Sequence, residues 1–359
     1  MSRRPLAQIN TSALLHNVEC IRAMAPNSKI LAVLKANAYG HGLLAVAAQL
    51  KDAQAFGVAR IDEALMLRAG GIVKPIVLLE GFFHADELPQ IVASNLQVVV
   101  HHPAQVDALL KAELESPVHV WLKIDSGMHR LGIDPADFSE IYRKLSQSKN
   151  ILQPMRLMTH FACADEPDNP ATERQLALFR RTIGNAAGEL SIANSAGVVG
   201  WPQSHGDWVR PGLALYGVSP MDKGRSAAHG LRPVMTFSSS VIAVRQVRQG
   251  DAVGYGASWS APRDTRLAVV AIGYGDGYPR NAPCGTPVLI NGKRYPIVGR
   301  VSMDMTTVDI GDDDIPHGAQ VILWGEDLPV EEIAEQVQTI PYELLCNITS
   351  RVQFRYVGD

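Results

Sequence analysis

The feature that most constrains the fold is a regular alternation of two periodicities over the first 220 residues. Short runs rich in apolar and β-branched residues are separated by stretches with apolar residues at helical spacing, such as 61–69 and 172–183. Seven β-prone runs stand at residues 29–34, 55–59, 76–79, 97–100, 118–124, 155–159 and 190–193. Strands that alternate with helices in this way predict parallel βαβ units.

An eighth strand is needed if these units close into a barrel. Two segments qualify, 207–210 and 213–218, and the pattern alone does not decide between them. Eight βα units in about 220 residues fit a (β/α)8 TIM-type barrel, for which about 250 residues is typical. An open doubly wound sheet is the alternative architecture.

The pattern changes after about residue 231, where short β-prone runs replace the alternation. They stand at 234–247, 254–256, 267–273, 287–290, 295–301, 305–310 and 319–323. Asn291-Gly292 is the strongest hairpin signal, and one short helix is expected at 330–336. We therefore predict an α/β chain with a barrel over 1–230 and a smaller, mostly β domain over 231–359, joined through 222–232.

Composition argues against several classes of function. With 33 basic and 36 acidic residues the net charge is −3, which gives no reason to expect nucleic acid or a membrane surface as partner. No apolar run approaches a membrane span, and no signal-peptide pattern is found, so a cytoplasmic location is expected. Phosphate-loop and dinucleotide motifs are missing, and the spacing of His and Cys predicts no metal site.

Lys35 is the first candidate for chemistry. It stands at the C-terminal end of the first β-prone run, and the C-terminal strand ends form the active face of such barrels. A lysine that is desolvated there exposes a neutral amine for Schiff-base chemistry. The alternative interpretation is a lysine that only extends from the strand end into solvent.

A second group of polar residues is 123–132, on and just past the fifth predicted strand. Lys123 lies inside an apolar run, where a bare ammonium is costly. Either a carboxylate pairs with Lys123 or its charge is modified. Asp125 is the nearest carboxylate in sequence, but two residues apart along a strand is a poor contact.

A third group comprises His160, Ser195 and Arg210, at or near the ends of strands six, seven and eight. The loops after strands seven and eight of such barrels often bind a phosphate. The Ser195 hydroxyl and the small residues of 195–197 and 211–212 would let backbone N–H groups approach an anion. An aldehyde-reactive lysine, a phosphate site and an arginine on one face are the binding needs of pyridoxal 5′-phosphate.

Together these segments resemble the bacterial alanine racemases over the whole chain. The lysine motif recurs more loosely in related proteins that carry a lysine on a barrel, but the set is specific. The matching motifs are 32–42 (AVLKANAYGHG), 123–132, 158–161 (MTHF), 209–212 (VRPG), 216–217 (YG), 253–256 (VGYG), 272–279 (IGYGDGYP) and 299–305 (GRVSMDM).

The resemblance implies a homodimer with shared active sites that interconverts L- and D-alanine, with pyridoxal 5′-phosphate as a Schiff base on Lys35. Lys35 would be the base for D-alanine, and Tyr255 from the other subunit the base for L-alanine. Arg130 would contact the phenolic oxygen of the cofactor and the substrate, and Met303 and Asp304 would lie at the substrate.

The resemblance also implies the remaining cofactor contacts. These are Tyr39, Ser195, Gly212 and Leu213 at the phosphate, His160 beside the cofactor and Arg210 facing the pyridine nitrogen. That placement favours 207–210 as the eighth strand. Lys123 matches a lysine that is carbamylated in some relatives, whereas Ser350 replaces a tyrosine found in others, which leaves its part at the phosphate open.

We therefore predict an amino-acid racemase that supplies D-alanine for peptidoglycan. One alternative is a racemase of other small amino acids. The other is a non-catalytic pyridoxal-phosphate-binding protein, but such carriers lack a β domain, so residues 232–359 argue against it.

Overall fold

The computed structural model describes residues 4–222 and 226–358. The chain divides into two compact units. One contains Asn17–Leu215 and Ser219–Gly224, and the other contains Met1–His16, Tyr216–Val218 and Arg225–Asp359. The predicted junction at 222–232 lies partly outside the described residues.

The first unit is built on a closed barrel of eight strands, in which each strand pairs in parallel with the next. The pairing of Lys29 with Trp208 closes the ring. Its strands are β2 Lys29–Val33, β3 Ala55–Val58, β4 Ile76–Leu78, β5 Leu96–Val100, β6 Val118–Lys123, β7 Ile151–Met158, β8 Leu190–Asn194 and β9 Trp208–Arg210. The predicted closed barrel is confirmed, and the eighth strand forms at the first of the two candidate segments.

Apart from β7, whose residues 152–154 are exposed, these barrel strands are short and largely apolar, as is typical of parallel strands with both faces covered. All residues of β4 and β5 are buried, for example. The helices of the same region of chain are α1 Thr11–Met24, α2 Lys35–Gly40, α3 Leu43–Gln49, α4 Ile61–Ala69, α5 Leu88–Ala93, α6 Pro103–Lys111, α7 Phe138–Ser146, α8 Ala171–Ile183 and α9 Ser195–Gly200. The described part of the chain contains no helix that is long and apolar enough to cross a membrane.

The second unit is built on an eight-stranded sheet in the order β15-β14-β17-β10-β1-β18, in which β13 also pairs with β10 and β16 pairs with β13. Its strands are β1 Leu6–Asn10, β10 Met235–Val247, β13 Thr265–Val270, β14 Pro287–Ile290, β15 Lys293–Pro296, β16 Thr306–Gly311, β17 Gln320–Trp324 and β18 Gln353–Val357. A separate pair is β11 Ala252–Val253 with β12 Trp259–Ser260, and the helices are α10 Val330–Gln336 and α11 Pro341–Cys346.

The first strand of the chain corrects the predicted domain limits. β1 pairs antiparallel with β10 and parallel with β18, so residues 6–10 belong to the β-rich unit and not to the barrel. The sequence interpretation placed all of 1–230 in the barrel. It was wrong here because both partners of β1 lie far along the chain and leave no local signal.

Two turns decide two further predictions. Asn291 and Gly292 join β14 to β15 with φ of 51° and 76°, the two positive values that a tight hairpin turn needs, so the hairpin is confirmed. The strand expected at 254–256 is wrong. Tyr255–Ala257 is instead one turn of 3-10 helix between β11 and β12, with positive φ at Gly254 and Gly256.

Candidate functional site

Lys35 follows β2 and opens a turn of unusual handedness. The next four residues, Ala36 to Tyr39, have φ between 51° and 55° and ψ between 43° and 52°, which is the left-handed region. The segment named α2 is thus one left-handed turn, and Gly40 continues it at φ 77°. Each non-glycine residue in this region costs about 1–2 kcal/mol, so the surroundings must hold the turn in place.

Hydrogen bonds restrain this turn at its beginning. Glu63, in the first turn of α4, accepts the N–H of Ala36 with Oε1 at 2.7 Å. Its other oxygen accepts the N–H of Ala59, the residue after β3, at 2.8 Å. Inside the turn, the N–H of Ala38 donates to the carbonyl oxygen of Leu34 at 2.8 Å.

The far end of the turn is restrained by Asn37 and His41. Asn37 Oδ1 accepts the N–H of Leu43, where α3 begins, at 2.8 Å. Burial lowers the pKa of His41 to about 4, so the imidazole is neutral at pH 7. Its Nδ1 lies 2.8 Å from the carbonyl oxygen of Tyr39, to which it donates. Lys35 is therefore attached to a segment that is fixed at both ends.

The structure brings together the residues predicted to bind a phosphate. Ser195 Oγ accepts the N–H groups of Gly212 at 2.8 Å and Ala214 at 3.2 Å. A Cβ at Gly212 would lie 2.5 Å from Tyr39 Oη, so only glycine lets that hydroxyl approach. We call Tyr39, Ser195, Gly212 and Ala214 the cradle; Leu213 is buried within it. Because the Ser195 oxygen already accepts two N–H groups, its hydroxyl proton remains to be donated, and the Ser195 and Tyr39 hydroxyls are the donors that suit a phosphate.

Arg210, at the end of β9, is buried and rigidly held. It donates to Ser191 Oγ at 2.7 Å and to the carbonyl oxygens of Thr159 and Ile192 at 2.6 and 3.1 Å. Its Nη2 also lies 3.3 Å from His160 Nδ1. Burial lowers the pKa of Arg210 to about 10, so it stays charged at pH 7. No carboxylate pairs with it in the part of the chain that the structure describes.

His160 and Lys123 report a strongly positive environment. The pKa of His160 is held well below its usual value, first by burial and then by the charges of Arg210, Lys123, Arg130 and Lys35. Burial and three of these same cations lower the pKa of Lys123 to about 8. His160 is therefore a neutral hydrogen-bond acceptor for Arg210, and the concentration of positive charge at this end of the barrel favours an anionic ligand.

Asp125 does not neutralise Lys123. Its Oδ1 accepts the N–H groups of Gly127, Met128 and His129, at 2.9, 3.1 and 3.1 Å, and so shapes the loop after β6. The carboxylate is therefore engaged in the backbone of its own loop. The poor contact expected from the sequence is what the structure shows.

Arg130 is carried by that loop, which folds back on the end of β6. The N–H of Ile133 donates to the carbonyl oxygen of Lys123 at 2.8 Å, and the N–H of Asp125 donates to that of Ile133 at 3.0 Å. Gly132 has φ of 144°, and a Cβ there would lie 2.3 Å from the Asp125 nitrogen. Arg130 is exposed and forms no hydrogen bond or ion pair with any described residue, which leaves its guanidinium for a ligand.

The remaining predicted residues lie in the β-rich unit, on turns. Tyr255 is 70% exposed and Met303 is 52% exposed. The backbone of Gly256, next to Tyr255, packs on Arg300. A Cβ at Gly256 would lie 3.4 Å from the Arg300 guanidinium. The carbonyl oxygen of Met303 is occupied, because it accepts the N–H of Gly275 at 2.9 Å. The backbone N–H of Met303 is therefore the group that remains for a substrate.

Asp304 and its neighbours show a contact that sequence reasoning missed. Arg351 donates to Asp304 Oδ1 at 2.6 Å and lies 3.3 Å from Asp276 Oδ1. Ser350 is exposed beside it. Neither Arg351 nor Glu63 carries a local signal, because each acts on a segment that is distant in sequence. Glu63 stands at the start of α4, where helix electrostatics alone favours an acidic residue, so its presence there does not point to a contact with Ala36.

Comparison with known proteins identifies the family. Residues 9–220 match the profile described as "Alanine racemase, N-terminal domain", and residues 234–356 match "Alanine racemase, C-terminal domain". The chain is 56% identical over 352 residues to the alanine racemase of Aliivibrio salmonicida, covering 98% of each chain. It is also 56% identical over 351 residues to the biosynthetic alanine racemase of Escherichia coli K12, covering 97% of this chain and 98% of that one.

Solved structures agree with this result. The biosynthetic alanine racemase of Pseudomonas aeruginosa superposes with a TM-score of 0.96 at 43% identity, covering 99% of this chain and 100% of that one. An alanine racemase of Bartonella henselae with covalently bound pyridoxal phosphate gives a TM-score of 0.90 at 30% identity, covering 99% of this chain and 100% of that one. The chain belongs to the alanine racemase family of isomerases.

Proposed function

We propose that this protein interconverts L- and D-alanine with pyridoxal 5′-phosphate on Lys35, and that Tyr255 of a second subunit is the opposing base. Alanine racemisation follows from membership of the family. The cofactor, the two bases and the shared site are our assignment. The observation that carries it is that Lys35 and the cradle stand at the same barrel edge, where the N–H of Val33 donates to the carbonyl oxygen of Pro211 at 3.0 Å.

The residues present fit pyridoxal phosphate. The cradle supplies donors for the phosphate, and the close approach of Tyr39 Oη to Gly212 requires glycine at that position. Arg210 supplies a positive charge for the cofactor, and three oxygen acceptors hold its guanidinium in place. The Bartonella henselae relative carries this cofactor covalently.

When bound, the cofactor withdraws electrons from the Cα–H bond of alanine, which makes the Cα proton acidic. Racemisation then requires that this proton leave on one face and that another be returned on the opposite face. Two fixed bases do this without movement of either one. Lys35 Nζ takes the proton from D-alanine, and Tyr255 Oη delivers one to the other face; the roles reverse for L-alanine.

Three further residues would bind the substrate and direct its Cα–H bond toward the bases. The guanidinium of Arg130 suits a carboxylate or a phenolic oxygen, and it makes no competing contact within the described residues. The backbone N–H of Met303 is a second donor. Asp304 is oriented by its ion pair with Arg351.

The exposure of Tyr255 and Met303 supports the homodimer. Side chains of this kind on exposed turns would be covered when a second subunit contributes them to its partner's site. The supply of D-alanine for peptidoglycan and a cytoplasmic location belong to the same proposal. Growth of a D-alanine auxotroph on the cloned gene tests the biological role, and an assay with other small amino acids tests the substrate range.

The central experiment combines a spectrum with a variant. Purified protein should absorb near ~420 nm, and borohydride reduction should leave a pyridoxyl group on Lys35 in the peptide map. Tyr255→Phe should retain the spectrum and lose racemisation. A spectrum without racemisation in the unaltered protein would favour the carrier alternative, and two-way racemisation by Tyr255→Phe would refute the two-base assignment.

A further inference from the structure

Glu63 is not among the proposed catalytic groups, yet its carboxylate joins two backbone segments at the active edge of the barrel. One oxygen accepts the N–H of Ala36, the residue after Lys35, and the other accepts the N–H of Ala59, the residue after β3. β2 and β3 are neighbouring strands, paired through Val33 and Gly57. Glu63 therefore spans the ends of two adjacent strands.

The bond to Ala36 matters because the segment it begins is strained. Ala36 has φ of 54°, a value that alanine avoids and glycine adopts readily. Within the turn, the bond from the N–H of Ala38 to the carbonyl oxygen of Leu34 restrains the chain two residues later. Glu63 is the group that holds the N–H of the first left-handed residue.

We propose that Glu63 is a positioning residue for Lys35, which it fixes by holding Ala36 in the left-handed conformation. This rests on the proposed role of Lys35 as the cofactor lysine and the base for D-alanine. Both oxygens of the carboxylate are used, so neither neutral nor shorter replacements reproduce the contact. Glutamine would turn an NH2 group toward one of the two N–H donors, and aspartate would not span both.

The first measurement is made without turnover. Apoprotein of the unaltered chain, of Glu63→Gln and of Asp62→Asn is mixed with pyridoxal phosphate, and the label on Lys35 is trapped with borohydride over time. Asp62 is the matched control because it lies in the same first turn of α4, is exposed and, among the described residues, forms an ion pair with Arg60 alone. We expect labelling of Lys35 to slow about 10-fold in Glu63→Gln and to stay unchanged in Asp62→Asn.

The second measurement uses the holoenzyme. We expect kcat to fall about 10–100-fold in Glu63→Gln, with KM for alanine changed less. The deuterium isotope effect should rise with Cα-deuterated D-alanine, whose proton goes to Lys35, and should not rise with L-alanine. A general loss of structure would change the isotope effects with both enantiomers alike. Adding Ala36→Gly to Glu63→Gln should recover part of the loss, because glycine adopts the required φ unaided.

The outcomes separate this proposal from the one on which it rests. If the unaltered protein is not labelled on Lys35, the proposed function fails. If the unaltered protein is labelled and Glu63→Gln is labelled at the same rate, the role of Glu63 is refuted. The same holds if labelling of Asp62→Asn slows as much as that of Glu63→Gln. Absence of recovery with Ala36→Gly would refute the conformational explanation. If Glu63→Gln does not fold, Glu63→Asp is subjected to the same comparison with the same two results.

Discussion

Lys123 is a buried lysine, and three of the four charged groups that act on it are cations, which has a consequence for stability. Burial and the charges of Arg210, Arg130 and Lys35 lower its pKa from 10.5 to about 8. Between these values the unfolded chain binds more protons than the folded one, so stability rises with pH across this window. Below about pH 8 the full cost of the buried ammonium is present.

We therefore expect Lys123→Met to stabilise the apoprotein at pH 7 in CO2-free buffer, by up to about 3 kcal/mol. The gain should shrink as the pH rises above 8. Urea unfolding at pH 7 and pH 9.5 measures the gain and its pH dependence, with exposed Lys144→Met as the control.

Reaction of the neutral Lys123 amine with CO2, in which the nitrogen loses a proton and gains a carboxylate, would remove the cost of the buried ammonium. Bicarbonate should then raise the Tm of the unaltered protein and leave Lys123→Met unchanged; an equal rise in both would contradict carbamylation.

We propose that the fixed positive charge of Arg210 faces the pyridine nitrogen of the bound cofactor. Two cations would repel, so the arginine disfavours protonation of that nitrogen and limits electron withdrawal. We expect Arg210→Glu to form more pyruvate per alanine racemised, through transamination, than the unaltered protein. Arg210→Lys keeps the charge and serves as the control. An unchanged ratio of pyruvate to racemised alanine in Arg210→Glu would show that this charge does not set reaction specificity.

At the scale of single elements, the left-handed turn after Lys35 makes a prediction of opposite sign to the usual rule. Ala36 has φ of 54°, so Ala36→Gly should stabilise the protein by about 0.5–1 kcal/mol. Ala177, exposed in the middle of α8, is in ordinary helix, where the same change should destabilise by about 1 kcal/mol. Thermal unfolding of the two variants tests this. Destabilisation by both would mean that the turn is not left-handed in solution.

The elements that the sequence predicted well are those with a periodicity of their own. α4 begins and ends as expected from 61–69, and α10 from 330–336. The turn after Lys35 could not be predicted, because Lys, Ala and Asn carry no preference for four successive positive φ values. Its handedness depends on Glu63, which lies in another element. The strand expected at 254–256 is wrong because the sequence Gly254-Tyr255-Gly256 is equally compatible with the turn that forms there.

At the scale of the whole molecule, the N-terminal end of the barrel is tied by one carboxylate. Glu189 accepts from Lys29 of β2, from Arg156 of β7 at 2.8 Å and from the indole of Trp208 in β9 at 2.7 Å. The Arg156 guanidinium also lies over Trp121 and Trp208, at 4.9 and 5.2 Å from the ring centroids. Burial alone would raise the pKa of Glu189, but these hydrogen bonds lower it to about 2.

Because the folded pKa of Glu189 lies below the unfolded value of 4.5, its stabilisation is present above pH 4.5 and is lost as the pH falls toward 2. We expect Glu189→Gln to lower the free energy of unfolding at pH 7 by about 1–3 kcal/mol. The difference from the unaltered protein should narrow below pH 4.5. Urea titrations at several pH values measure it, with Glu140→Gln as an exposed control; a difference independent of pH would exclude this network as the cause.

A shared active site makes a prediction about mixed subunits. Lys35→Ala and Tyr255→Phe proteins should each be inactive alone. In a mixed dimer one site carries both changes and the other carries neither, so the purified mixed dimer should have roughly half of the normal activity. Co-expression of the two with different tags, followed by purification of the mixed species, provides the measurement. No recovery in a mixed dimer that contains cofactor would place both bases in one subunit.

The positions of the candidate site residues in the barrel could be predicted because parallel strands all end at one edge. Lys35, Arg130, His160, Ser195 and Arg210 each follow or end a strand, so finding the strands placed them at the same edge. What the sequence could not predict are contacts that join distant segments, such as Arg351 with Asp304. For the same reason the limits of the barrel were wrong at β1, whose partners are β10 and β18.

The placement of β1 has a consequence for synthesis on the ribosome. Leu6 pairs with Ser238 on one side and with Gln353 on the other, so β1 is synthesised long before either of its partner strands. At about 5–20 residues per second, it waits tens of seconds with both hydrogen-bonding edges bare. During that interval the nascent chain carries a template for pairing with other chains, until β10 covers one edge of β1 and β18 covers the other.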